Sequence, residues 1–338
     1  MSDLHLSFAM TPYDRVMPLI TGEVKPAGVT LEYEGMPGAV PGVFYDQLKF
    51  HRYDLSEMSF SSFLVERAKG FPYRILPVFH NRNFSYTSIV IRKSSGIRQD
   101  HPEDLKGKRF AVGDYQQTAA LWIRGVLQHE FSVTPQDMEW VQTRGEHYSH
   151  TGASGTKPPV KLSYANAAES VLFLRGEIDA AMSWGEGGGG AGASALAREG
   201  VDIRSNPDFS LLFSDPKAEA VRYFQKNHIY PPHHTTAVRE SILQEHPWVA
   251  MSLLNAFNES KKLAMERTTR NTLFVFTSHY LDEVKNVLGP DPFVYGVTAN
   301  AAAIDMVQTI SAEQSLTPKK QPIAEIFPEE LLIAEERL

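Results

Sequence analysis

The chain of 338 residues contains no cysteine. That absence removes disulfide frameworks, zinc ribbons, iron–sulfur clusters and thiol nucleophiles together, so any nucleophile or metal ligand must be a hydroxyl, carboxylate, amine or imidazole. No run of about 18 apolar residues occurs, so no segment reads as a membrane span and no membrane partner is expected. The opening stretch, residues 1–15 (MSDLHLSFAMTPYDR), lacks both the charged start and the apolar run of a signal peptide, and the expected location is cytoplasmic. Positive charge is not in excess: 33 Lys and Arg stand against 40 Asp and Glu, a net charge of −7, which argues against nucleic acid as a partner. What is present is ordinary folded-protein usage, 42% hydrophobic and 22% charged, over a length of about two average domains.

Strand-like and helix-like patterns alternate along the first hundred residues. Leu4–Ala9 has period two, and Thr11-Pro12 reads as a helix start. Val29–Tyr33 is a second strand, and Asp54–Met58 runs into a helix capped by Ser59 or Ser61. Arg74–Phe79 and Ser88–Arg92 add two more strands, and Arg109–Gly113 leads into a helix capped by Thr118. Residues 142–158 have no periodicity and read as a long loop; Ser163–Leu174 reads as helix, and Thr235–Arg239 as a returning strand. Interleaving of this kind predicts an α/β fold of two lobes with mainly parallel sheets and helices on both faces. Residues 1–107 with 229–338 are expected to form a discontinuous first lobe, and 108–228 an inserted second lobe. Ligands of open α/β sheets favour the carboxyl ends of strands, so the expected ligand cleft lies between lobes. The turns that would carry chemistry are then Thr11–Arg15, Glu57–Ser62, His80–Phe84, Asp114–Thr118 and the stretch from Trp184 onward.

The connector DLKGKRFAVG (104–113) resembles the crossover of type II periplasmic-binding-protein folds. More specifically, the chain resembles the 4,5-dihydroxyphthalate decarboxylases, a family of enzymes on that fold. The resemblance is carried by YDRVMPLITGEVKPAGVTL (13–31), LSEMSFSSF (55–63), PVFHNRNF (77–84) and VGDYQQTAALWIRGVL (112–127). It continues through LRGEIDA (174–180), YPPHHTTAVRE (230–240), HPWVAMSLLNAF (246–257) and GPDPFVYG (289–296), nearly the whole chain in order. The sequence departs from the family where a Pro-Ser-Arg triplet is replaced by His80-Asn81-Arg82, and where a basic position is replaced by Ser85-Tyr86.

The resemblance implies decarboxylation of a small hydroxylated aromatic acid without a cofactor, and leaves homo-oligomerisation open. Such chemistry needs a grip on carboxylates, an acid for the ring carbon and contacts to the phenol oxygens. Arg82 is the expected bidentate clamp, aided by the helix starts at Ser59 and Ser61 and at Tyr115, Gln116, Gln117 and Thr118. His234 is expected as the ring acid, with His80 as its alternative, because imidazole titrates in the required range. Adjacent strand residues face opposite ways, so only one of His233 and His234 should meet the substrate directly. Glu57 and Asp14 are expected to orient the hydroxyls, with Tyr13 and Trp184 completing the binding residues. His80, His234 and Glu57 would also suit a two-histidine, one-carboxylate metal site if they converged, although no local spacing supports one. The glycine run 185–192 satisfies G-x-G-x-x-G by composition alone and reads better as a turn or lid than as a dinucleotide loop. A solute-binding protein for a small aromatic or heteroaromatic acid is the alternative, since fold alone does not assign function.

Overall fold

The computed structural model describes residues 3–36, 39–145, 149–182, 206–271 and 275–337. Among them the strands are β1 Leu4–Ala9, β2 Val29–Tyr33, β3 Leu55–Ser59, β4 Tyr73–Arg82, β5 Ile89–Arg92, β6 Arg109–Val112, β7 Glu139–Gln142, β8 Leu162–Tyr164, β9 Ala180–Met182, β10 Phe209–Leu211 and β11 Pro232–Arg239. The chain divides into two compact units: residues 1–82, 232–305 and 321–338 form the first, residues 83–231 and 306–320 the second.

The first unit is built on a sheet of order β2-β1-β3-β11-β4. Its apolar core joins Leu6 and Phe8 of β1, Leu55 of β3 and Val78 of β4 to Val249, Leu253 and Phe257 of the helix Trp248–Asn271. Burying side chains of this size contributes about 1.5–3 kcal/mol each. The second unit carries a sheet of order β10-β5-β9-β6-β7-β8, packed around Ala111, Leu172, Phe173, Ile178 and Phe209. Both sheets are mixed. Pairing is parallel through β2-β1-β3 and through β9-β6-β7-β8, where helices carry the chain back between strands. It is antiparallel wherever β5, β10 or β11 takes part with a neighbour. β11 enters the first sheet directly on the chain's return, with no crossover helix to restore a parallel direction.

Several expectations are corrected. The first crossing lies at residues 82/83 rather than near 107, because β5 pairs with β9 and β10 and so belongs to the second sheet. The return lies at 231/232 rather than near 229, and residues 306–320, expected in the first lobe, pack with the second unit. The 142–158 stretch is not plain loop: it contains a short helix, His150–Ser154, capped by the Ser149 hydroxyl. Ser163 stands in β8, and the helix expected from there begins only at Glu169. The helix after β6 starts at Thr118 itself with Gln117 as its N-cap, and the helix expected from Thr11-Pro12 is confined to Met17–Ile20. The glycine run 185–192 lies outside the described residues. No described helix is long and apolar enough to cross a membrane.

Candidate active site

β3 is the middle strand of the first sheet, and all five of its residues are buried, yet its sequence is Leu-Ser-Glu-Met-Ser. A carboxylate in such a place stays ionised only if it is fully hydrogen-bonded. Glu57, with no exposed surface, accepts from the Thr11 backbone N–H at 2.9 Å, the Tyr13 hydroxyl at 2.8 Å and His234 Nδ1 at 2.6 Å. Burial, the strongest influence on its pKa, pushes it upward. The hydrogen bond and charge of His234 and the Thr11 N–H outweigh burial and hold the carboxyl at about 2.

The register of β11 against β3 sets this pair. Thr236 lies opposite Glu57 and His234 opposite Ser59, so residues 57, 59, 234 and 236 share one face of the sheet. A carboxylate can only accept, so His234 Nδ1 carries the hydrogen and Nε2 is turned away from Glu57. The His234 side chain is 15% exposed, and its ring meets the edge of Phe44 at 4.9 Å. His233, on the opposite face, is buried.

His80 also comes to this cluster, in a role unlike the one expected of it. Its ring is fully buried, with Nε2 2.5 Å from Thr236 Oγ1 and Nδ1 without a partner. Burial, the largest cause, drives its pKa down to about 3, and the Arg15 guanidinium pushes the same way against the opposing pull of Glu57. The ring is therefore neutral near pH 7 and is a poor source of a proton. It stacks parallel to the Tyr13 ring at 6.0 Å.

Arg82 does not point at the cluster as a free clamp. It donates from Nη2 to the Val294 carbonyl at 3.0 Å and to Asn300 Oδ1 at 2.5 Å, fastening the 294–300 turn to the end of β4. Asp14 has 64% of its side chain exposed and pairs with Arg15 rather than joining Glu57. Ser59 caps the helix Phe60–Arg67, accepting from the Ser62 N–H, and Ser61 is buried in its first turn. His80, His234 and Glu57 converge, but His80 Nε2 is taken by Thr236, and no group of three or more His, Asp or Glu is arranged to hold a metal ion among the described residues.

Sequence reasoning placed Arg15 at the end of a turn expected to carry chemistry without singling it out, and did not single out Lys261 or Tyr295. The Arg15 guanidinium lies between two rings, 4.5 Å from that of Tyr13 and 4.3 Å from that of Phe293. Lys261 donates to Asp291 Oδ2 at 2.5 Å and sits 4.0 Å from the Tyr295 ring centre. Burial lowers the Lys261 pKa, and the nearby Arg82 and Arg15 lower it further against Asp291. Arg15 could have been noticed, because it stands in the quoted YDRVMPLITG stretch; no motif marks Lys261 on its long helix.

In the second unit, the expected residues Tyr115, Gln116, Gln117 and Thr118 are all buried. Their turn is organised by Asp114, which accepts from the Gln116 N–H at 2.9 Å, the His150 N–H at 2.5 Å and the Thr151 hydroxyl at 2.8 Å, with Arg144 3.7 Å away. Gln117 donates to Met182 Sδ, and Tyr115 lies against the fully buried Arg124 guanidinium at 3.6 Å. Trp184 is outside the described residues.

Two α/β units, both discontinuous in sequence, with these strand orders define a type II periplasmic-binding-protein-like fold. The periplasmic aliphatic sulphonate binding protein SsuA from Escherichia coli superposes with a TM-score of 0.56 at 13% identity, covering 96% of this chain and 92% of its own. The alkanesulfonate-binding protein SsuA from Xanthomonas axonopodis pv. citri, bound to MOPS, gives 0.55 at 14% identity, covering 97% and 99%. These likenesses establish the fold alone. No protein-family model matches the chain. Among curated proteins, a 4,5-dihydroxyphthalate decarboxylase from Comamonas testosteroni is 32% identical over 336 residues, covering 97% of each chain. Another from Pseudomonas putida is 33% identical over 230 residues, 67% of this chain and 83% of its own. The chain belongs to the 4,5-dihydroxyphthalate decarboxylase family, and so to a family of carboxy-lyases.

Proposed function

We propose that the chain removes one carboxyl group, as CO2, from a hydroxylated aromatic dicarboxylic acid, with 4,5-dihydroxyphthalate as substrate and protocatechuate as product. The observation that carries this reading is the Glu57–His234 pair, an ionised buried carboxylate holding an imidazole by Nδ1 and leaving Nε2 turned away from Glu57. Arg15 acts on His80 of this cluster, and Arg82 and Lys261 act with it on one another, a group of cations whose counter-charges are Asp14 and Asp291 and which suits an anionic substrate.

The substrate dianion takes up one proton and yields the protocatechuate monoanion and CO2, so the site must supply a proton at the ring carbon. His234 Nε2 delivers it to the carbon bearing the departing carboxylate, and the hydroxyl para to that carbon feeds electron density into the ring. The C–C bond then breaks, its electrons return to the ring, and His234 is reprotonated from water. Glu57 holds the imidazole in the required tautomer and stabilises its cationic form; Tyr13 and the Thr11 N–H keep Glu57 in place. His80, neutral and stacked on Tyr13, is a positioning residue for that ring. No cofactor is part of this reading, and a cytoplasmic location belongs to it.

The test is incubation of chelator-treated protein with 4,5-dihydroxyphthalate, following CO2 and protocatechuate. Stoichiometric formation of both without added metal is the expected result; absence of turnover with and without added divalent metal overturns the reading. The second reading, a solute-binding protein for a small aromatic acid, is favoured by the fold of the two sulphonate-binding proteins. Saturable binding of the same compound without turnover would select it.

A further inference from the structure

The carboxylate that the reaction leaves on the ring still needs a partner, and Arg82, the residue expected to provide it, is occupied with the 294–300 turn. Arg15 differs from it at Nη2, the nitrogen through which Arg82 makes both of those bonds. Its guanidinium makes one side-chain hydrogen bond among the described residues, from Nη1 to Asp14 Oδ1 at 3.0 Å. Nε is buried with no partner. The Nε and Nη2 hydrogens lie parallel along one edge of the guanidinium plane, the spacing that two carboxylate oxygens match. The plane is fixed before any ligand arrives, because the Tyr13 and Phe293 rings flank it. Tyr13 itself donates to Glu57, so a single side chain joins the guanidinium to the proton-donating pair. Tyr295 adds a second orphan: its residue is 7% exposed and its hydroxyl has no partner. The surroundings are rich in positive charge, since Lys261 and Arg82 stand near Tyr295 and Asp291 is the counter-charge on Lys261. Unpartnered buried donors are costly, and they mark a place built for an acceptor.

We propose that the Nε/Nη2 edge of Arg15, together with the Tyr295 hydroxyl, is the subsite for the retained carboxylate, making Arg15 the residue that selects aromatic ortho-dicarboxylates over monocarboxylates. The proposal rests on the decarboxylase reading for its substrate, but its binding test is independent of turnover. Phthalate carries both carboxylates and lacks the para hydroxyl that drives ring protonation, so it serves as an unreactive probe; benzoate carries one carboxylate.

Calorimetric titration of the intact protein should show phthalate binding more tightly than benzoate by roughly 10- to 100-fold, the worth of a charged hydrogen-bonded grip. In Arg15→Gln that preference should collapse to within about threefold, and Arg15→Lys, which keeps the charge and loses the fork, should recover only a part of it. Asp14→Asn, a change at an exposed side chain that removes the counter-charge on Arg15, should tighten phthalate several-fold; it decides the matter if either Arg15 variant fails to fold. An unchanged phthalate-to-benzoate preference in the Arg15 variants, no effect of Asp14→Asn, or no phthalate binding by the parent protein would each overturn the proposal. Arg15-dependent phthalate binding in a protein that does not turn over 4,5-dihydroxyphthalate would keep the subsite and reject the decarboxylase reading. Turnover by the parent that Arg15→Gln leaves unaltered would do the reverse.

Discussion

His234 Nδ1 lies 2.6 Å from Glu57 Oε1, between two strands 177 positions apart in the chain and antiparallel in the sheet. The pair is diagonal across the ladder, two residues off the direct partners His234–Ser59 and Glu57–Thr236. That offset lets a long carboxylate arm reach the ring nitrogen while Thr236 serves His80.

If this pair supplies the proton, its two members should fail in different ways. His234→Gln removes the donor and should lower kcat by about 10²- to 10⁴-fold with little change in KM. Glu57→Gln keeps the shape but removes the charge that holds the imidazole, and should lower kcat by at least about tenfold while shifting the pH profile of kcat. Steady-state kinetics of both variants between pH 5 and pH 9, with circular dichroism to verify folding, checks the expectation. Near-parental kcat in His234→Gln would remove the residue from the mechanism.

Stability should fall on acidification, starting well above the carboxylate range. His80 is held near pKa 3 against an ordinary 6.5, so between those values the unfolded chain binds the extra proton and stability is lost as pH falls. Glu57, held at about 2 against an ordinary 4.5, adds a loss of the same sign between pH 4.5 and 2. The His80 contribution alone amounts to about 1.6 kcal/mol between pH 6.5 and pH 5. His80→Asn should flatten the urea-denaturation stability profile over that interval, whatever its absolute stability. An identical slope in parent and variant would contradict the buried, neutral assignment.

In the second unit, Gly125 marks a close helix contact. A Cβ added there would come within 2.8 Å of Ile310 Cγ2, 2.7 Å of Cγ1 and closer still to Cδ1. Gly125→Ala gains up to about 1 kcal/mol of helix propensity but should lose about 1–3 kcal/mol to overpacking, so a lower Tm is expected. Combining it with Ile310→Ala should restore part of that loss, a non-additivity that a double-mutant cycle measures. A higher Tm in Gly125→Ala alone would mean that residues 306–320 yield easily.

The sequence by itself determined the α/β alternation, the two-part organisation and the family, because period-two strands, capped helices and a long ordered run of matching residues are local properties that need no coordinates. It also brought Glu57, Tyr13, His80 and His234 forward as individual candidates. Tertiary structure alone decided which of them meet and how each is bonded. The antiparallel register of β11 on β3 made Glu57 and His234 partners, and register depends on pairings between residues 177 positions apart. Complete burial turned His80 from a candidate acid into a neutral ring, since desolvation is a property of the surroundings rather than of the residue. The turn at 294–300 claimed Arg82, while Arg15, at the end of a turn expected to carry chemistry, lies against the rings of Tyr13 and Phe293 with its buried Nε unpartnered. The crossing moved from residue 107 to 82/83 for the same reason: which sheet β5 joins is settled by its hydrogen bonds to β9 and β10, partners that lie about 90 and 120 residues further along the chain.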